Sequence, residues 1–155
     1  MYPGIPYKMI GIAEGGIYEK PMAIATVLGS CVAVTFYCPR ERIGATFHAI
    51  LHKWKVYEKS TANINPYRYV DSAINHIVMY LLKKGIRREQ IISKVFGGAD
   101  AVSQGKAIPG QLNIQAAIET LAENKIKVIN SDVGGRKGRE FIFITGVGDV
   151  YIKKQ

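Results

Sequence analysis

At 155 residues the chain has the length of one domain and can bury a core without disulfides or a structural metal. Its 48% hydrophobic and 21% charged residues exclude a disordered or fibrous chain, and no apolar run nears the roughly 20 residues of a membrane span. The formal net charge of +9 implies either an acidic partner (nucleic acid, a membrane surface or an acidic protein) or a scattered basic surface that only aids solubility.

The N-terminal stretch MYPGIPYKMIGIAEGG lacks the charged region and apolar core of a signal peptide. Cys31 and Cys38 lie close together on one apolar run, a poor basis for a disulfide framework, so a reducing cytoplasmic setting is expected. Lys8 to Ile12 and Met22 to Leu28 are predicted strands, separated by a turn at Glu14-Gly15-Gly16 and by Pro21. Cys31 to Tyr37 is β-branched and aromatic and ends at the turn Cys38-Pro39-Arg40-Glu41-Arg42. Ile43 to Leu51 alternates, with Ile43, Ala45, Phe47, Ala49 and Leu51 on one face and Gly44, Thr46, His48 and Ile50 on the other. These two runs form a hairpin, and a tip between Pro39 and Arg40 sets Cys31 opposite His48.

His52 to Asn65 is polar and aperiodic and reads as a long exposed loop. Asn65-Pro66 then looks like a helix start, and Val70, Ala73, Ile74, Ile77, Val78, Leu81 and Leu82 recur at helical spacing up to Gly85. Gln90 to Phe96 is a buried strand leading into Gly97-Gly98-Ala99-Asp100 and a loop through Gly105 and Pro109-Gly110. A second helix carries Ile114, Ala117, Ile118 and Leu121, and Ile126 to Ile129 returns as a strand. A glycine-rich basic turn, Asp132 to Arg139, precedes a last hairpin of Phe141 to Thr145 and Val150 to Ile152. About eight strands and two main helices make an α+β fold of mixed sheets, with no internal repeat and one domain over 1–155.

The chemistry gathers between Thr26 and His48. A thiol behind the small residues Gly29 and Ser30, with an imidazole one hairpin later, is the minimum for nucleophilic cysteine chemistry. Small residues let a substrate approach the backbone and leave N–H groups for an oxyanion. Against this stands the ordinary fate of a cysteine in an apolar strand, which is inert burial. Cys38, before a turn proline and with no base in sight, is read as packing, and His76 as structural. Two cysteines and the histidines at 48 and 52 do not make a zinc signature, and no metal or cofactor is expected. Gly97-Gly98 and Gly134-Gly135 lack the spacing of phosphate loops and are read as turns shaping the site. Arg136, Lys137 and Arg139 suit an acidic helix or nucleic acid, with a solvated turn as the simpler reading. The missing aromatic-plus-basic motif weighs against nucleic acid.

Taken together, T-x-L-G-S-C-V-A-V (Thr26 to Val34), G-A-x-x-H (Gly44 to His48), Y-V-D-x-A-I (Tyr69 to Ile74) and K-V-F-G-G-A (Lys94 to Ala99) resemble the chemoreceptor glutamine deamidase family CheD. Asn113-Ile114 and D-x-G-G-x-x-G-R (Asp132 to Arg139) extend the resemblance in family order over nearly the whole chain. The resemblance implies a cytoplasmic cysteine hydrolase that converts receptor glutamines to glutamate, with a sandwich-like fold like that of cytotoxic necrotizing factor toxins. It also implies Cys31 as nucleophile, His48 as base, Thr26 as the group orienting the histidine, and a CheC phosphatase as partner. The alternative it leaves open is a weak or inactive module that docks on receptors or on CheC. The chain departs from the family pattern at Leu51-His52, where a Leu-Pro pair is usual, and at Leu112, where an arginine is usual. Thr26 also has the opposite strand parity from Cys31 unless the chain bends at Gly29.

Overall fold

The computed structural model describes residues 3–100 and 108–155. In chain order it contains β1 (Tyr7–Met9), β2 (Glu14–Tyr18), β3 (Ala23–Leu28), β4 (Val32–Cys38), β5 (Ile43–His48), α1 (Trp54–Tyr57) and α2 (Val70–Lys83). β6 (Ile92–Gly97), α3 (Pro109–Glu123), β7 (Lys127–Val133), β8 (Arg139–Ile144) and β9 (Val150–Lys154) follow. The strands form two mixed sheets, one ordered β1-β3-β8-β9 and the other β2-β5-β4-β6-β7. The pairs β1/β3 and β6/β7 are parallel and the rest antiparallel, an α+β architecture as expected.

Strand alternation decides which residues enter which layer. Val32, Val34 and Phe36 of β4 and Ile43, Ala45 and Phe47 of β5 point to the helices. There they pack with Val70, Ile74, Ile77 and Leu81 of α2 and with Ala117 and Leu121 of α3. Ala33, with Cys31 just before the strand, turns to the other side and meets Ile24, Leu28, Phe96, Phe141 and Phe143 between the two sheets. The order is therefore helices, five-stranded sheet, four-stranded sheet. Each fully buried large apolar side chain in these layers contributes about 1.5–3 kcal/mol. No described helix is long and apolar enough to cross a membrane.

The helix α2 carries the expected buried stripe. At its end the Gly85 N–H donates to Leu82 O and the Ile86 N–H to Leu81 O, the paired bonds of a Schellman motif. Other expectations change. There are nine strands and three helices among the described residues rather than eight and two. Glu14-Gly15-Gly16 is not a turn but the start of β2, because a Cβ at Gly15 would lie 2.7 Å from Thr46 O and 2.8 Å from Phe47 Cβ. The glycine serves close approach to β5, and glycine content alone does not distinguish that from a turn.

The polar stretch after His52 contains the helical turn α1, whose Trp54 N–H is held by Asp71 Oδ1 at 3.0 Å. Asn65-Pro66 starts a single 3₁₀ turn, with Asn65 accepting from Tyr67 N, and α2 begins later at Val70. Pro109-Gly110 opens α3 instead of lying in a loop. Asp100, well before the helix, accepts from the Gly110 and Gln111 N–H groups at 3.0 and 3.2 Å and so supplies the missing cap. Gly105 lies outside the described residues. The basic turn is shorter than expected, since β7 runs to Val133 and β8 begins at Arg139.

Candidate active site

The hairpin β4/β5 differs in register from a tip at Pro39-Arg40. Cys38 pairs with Ile43 and Val32 bridges to Ala49, which puts Ala33 across from His48 and Ile50 across from Cys31. The four-residue loop Pro39–Arg42, closed by Arg42 at φ 55°, causes the change. The shift is two residues, so both side chains still face the space between the sheets. Cys31 and His48 are diagonal neighbours across the ladder, a relation that places backbones roughly 7–8 Å apart and leaves long side chains within reach. Both are nearly closed off, at 7% and 4% exposure.

Thr26 reaches His48 from the opposite sheet. Its Oγ1 lies 2.8 Å from His48 Nδ1 and 2.8 Å from the Ile10 carbonyl oxygen. Two oxygens at that separation need a proton between them, and only the hydroxyl has one, so Thr26 donates to Ile10 O. It therefore accepts from His48, which assigns the proton to Nδ1 and leaves Nε2 with its lone pair. Nε2 is buried and makes no hydrogen bond with any described residue. The strand-parity objection to Thr26 falls away, since the chain passes from one sheet to the other between Leu28 and Val32 and parity does not carry across that change.

Three successive carbonyls hold the thiol loop from behind. Gly29 O accepts from Ala99 N at 2.9 Å, Ser30 O from Asn113 Nδ2 at 3.0 Å, and Cys31 O from Gly98 N at 2.8 Å. Asn113 Nδ2 also donates to Ile50 O at 3.1 Å, tying the loop of Cys31 to the strand end beyond His48. With the carbonyls engaged on this side, the Ser30 N–H bonds to no described residue, and the Cys31 N–H bonds to no described residue other than its own sulfur. A Cβ at Gly29 would meet nothing within 4 Å, so the space above it is open.

The two glycine pairs meet beside the thiol loop. A Cβ on Gly97 would collide with the Cys31 carbonyl oxygen, so only glycine lets β6 lie against the thiol loop. Gly134 N donates to Gly97 O at 2.9 Å, and Gly135 O accepts from Asp100 N at 2.9 Å. Arg139 is no solvated turn residue: it is 2% exposed and its guanidinium contacts Asp132 Oδ1 at 3.1 Å, Gly134 O at 2.8 Å and Gly97 O at 3.4 Å. It binds both glycine pairs into one wall behind Cys31. Cys38 is sealed on the helix side, and His52 and His76 pack edge-on against Tyr57 and Tyr67.

Burial sets the resting charge state. It pushes the Cys31 thiol above its ordinary value, partly countered by the residue's own backbone N–H. It pulls His48 down to about 4, against the opposing influence of Glu14. The free site thus rests as thiol and neutral imidazole. Two contributors had no role assigned from the sequence: Glu14, directly across β2/β5 from His48, and Asn113, known there only as part of a family motif. Beyond that motif, Asn113 left the signal of a polar residue at the spacing of the buried stripe Ala116, Ala117, Thr120 and Leu121. The Thr26 contact makes a measurable prediction: long-range ¹⁵N NMR should show His48 as the Nδ1–H tautomer in the wild type and in Thr26→Ser. In Thr26→Val that preference should be lost; an unchanged tautomer there would break the assignment.

A thiol on the same inter-sheet face as an imidazole with a bare, oriented nitrogen is the equipment of a hydrolase that attacks an amide or acyl carbon. The chain belongs to the CheD family. The family profile described as CheD chemotactic sensory transduction matches residues 55–154. A relative from Maridesulfovibrio salexigens is 37% identical over 87% of this chain and 84% of its own length. One from Oleidesulfovibrio alaskensis is 35% identical over 97% and 73%. Both are named "Probable chemoreceptor glutamine deamidase CheD". A third, from Methanosarcina acetivorans and named "Probable chemoreceptor glutamine deamidase CheD 1", is 36% identical over 97% and 92%. The last two alignments span the Cys31–His48 stretch that the profile does not reach. Among solved structures, the hypothetical protein YfiH of Bacillus licheniformis overlaps at TM-score 0.48 and 14% identity over 76% of this chain and 49% of its own.

Proposed function

We infer that the chain is a single-domain protein-glutamine deamidase, hydrolysing glutamine side chains on the cytoplasmic helices of chemoreceptors to glutamate and ammonia. The observation that carries the mechanism is the bare Nε2 of His48, with its tautomer set by Thr26, on the same inter-sheet face as Cys31. As Cys31 Sγ attacks the carboxamide carbon, His48 Nε2 takes the thiol proton, so no resting thiolate is needed. The oxyanion forms beside the N–H groups of Ser30 and Cys31, neither of which bonds to another described residue, and the open space above Gly29 admits the carboxamide. Glu14 favours the imidazolium as it forms. The imidazolium then gives its proton to the departing nitrogen, which leaves as ammonia and a thioester remains. Water, deprotonated by His48, attacks the thioester carbon; the C–S bond breaks, glutamate leaves and the thiol regains its proton.

The relatives' names support receptors as substrates, and a cytoplasmic location fits that role. A CheC-type phosphatase is the regulatory partner that family membership suggests. The test is incubation with a purified chemoreceptor cytoplasmic fragment. Peptide mass spectrometry should show Gln-to-Glu conversion with one ammonia released per event; release of none would sink the reading.

A further inference from the structure

A cavity of about 210 Å³ is lined by Gly134, Gly135, Arg136, Lys137, Arg139 and Lys154. It shares a wall with the thiol loop. Gly134 is bonded to Gly97, which lies against Cys31 O, and a Cβ on Gly138 would lie 3.1 Å from Leu28 O, one residue before Gly29. Its charge is one-sided. No carboxylate lines it; Asp132, outside the lining, pairs with two of its cations, Arg139 at 3.1 Å and Lys154 at 3.3 Å. The Asp100 carboxylate is committed to the start of α3, and Glu140 points to the other face of β8 from Arg139. Arg136 and Lys137 are exposed and form no ion pair among the described residues.

We propose that this cavity receives a side-chain carboxylate of the substrate polypeptide, from an acidic residue flanking the target glutamine. The proposal rests on the deamidase reading of the adjacent site and supplies its specificity. Of the four lining cations, Arg139 and Lys154 are paired with Asp132, and Arg136 and Lys137 leave a surplus that an incoming anion satisfies, in keeping with the net charge of +9. The lining has no aromatic residue on which a base would stack, which favours a carboxylate over nucleic acid. Exposed cations of this kind act through encounter and orientation, so their signature is salt-dependent KM.

The test compares wild type with Arg136→Glu/Lys137→Glu on a chemoreceptor cytoplasmic fragment. At low ionic strength kcat/KM of the double variant should fall about tenfold, mainly through KM, and the gap should close as salt is raised. Alkylation of Cys31 by iodoacetamide should proceed at the wild-type rate, showing the thiol site intact. An unchanged kcat/KM, or a gap indifferent to salt, overturns the proposal. A second arm needs no turnover: by fluorescence anisotropy, wild type should bind a helical peptide with one glutamine flanked by glutamates at least about fivefold tighter than its lysine-flanked counterpart. The double variant should lose that preference. Equal affinities in wild type, or tighter binding of a short RNA than of the acidic peptide, also overturn it. If the peptide preference holds while wild type converts no glutamine, the deamidase reading fails and the anion site stands.

Discussion

Cys31→Ala should lower deamidation of a receptor fragment by at least about a thousandfold, the scale on which hydrolases lose activity when their nucleophile is removed. Folding should be nearly untouched. The substitution deletes one sulfur atom from the inter-sheet layer, a loss of about 1 kcal/mol, or about 2–4 °C in Tm for a chain of this size. Cys38→Ala should keep wild-type turnover, because Cys38 is fully buried on the helix side and its thiol is pushed up to about 12, chiefly by burial. The same contrast appears in alkylation. Neither cysteine rests as a thiolate, but Cys31 keeps 7% exposure under the open space at Gly29 and shares a face with a bare imidazole nitrogen, whereas Cys38 is fully sealed, so iodoacetamide near neutral pH should label Cys31 first. Turnover that survives Cys31→Ala, or labelling that favours Cys38, would remove Cys31 from the mechanism.

The parts of the site legible in the sequence are those governed by local periodicity. Cys31 and His48 share a face because strand alternation has period two, and a register change of two residues preserves it. The α2 stripe is legible for the same kind of reason. What escaped depends on contacts between layers. Thr26 meets His48 from another sheet, so parity counted along the chain carried no information about it. Arg139 looks like a surface charge in a glycine-rich basic turn, and only the fold brings it to Asp132 and two glycine carbonyls in a buried wall. Asp100 caps a helix that begins after Ile108, a distance at which no capping pattern applies. In β2, Gly15 and Gly16 serve close approach to β5, and composition does not separate that use from a turn.

His48 should give the protein an acid sensitivity that His48→Gln removes. Its pKa falls from an ordinary 6.5 to about 4, first because burial disfavours the imidazolium, with Glu14 opposing. Above pH 6.5 the imidazole is neutral in both folded and unfolded chains, and the stability of the neutral buried ring is fully present. As pH falls from 6.5 toward about 4 the unfolded chain takes up a proton that the folded one refuses, so that stability is lost; below about 4 both states are protonated and this slope ends. The loss amounts to roughly 3 kcal/mol. Urea unfolding at about pH 7 and about pH 4.5 should therefore show a larger drop for wild type than for His48→Gln. Catalysis reports the same group. With Nε2 unprotonated down to about 4, kcat/KM at about pH 5.5 should stay within about twofold of its value at pH 7, whereas a histidine at 6.5 would lose about tenfold there. His48→Gln should lower kcat/KM by about 10²–10⁴ and erase the acid limb. An acid limb near 6.5 in wild type would mean that the imidazole is solvated during turnover and that the closed arrangement with Thr26 is not the one that reacts.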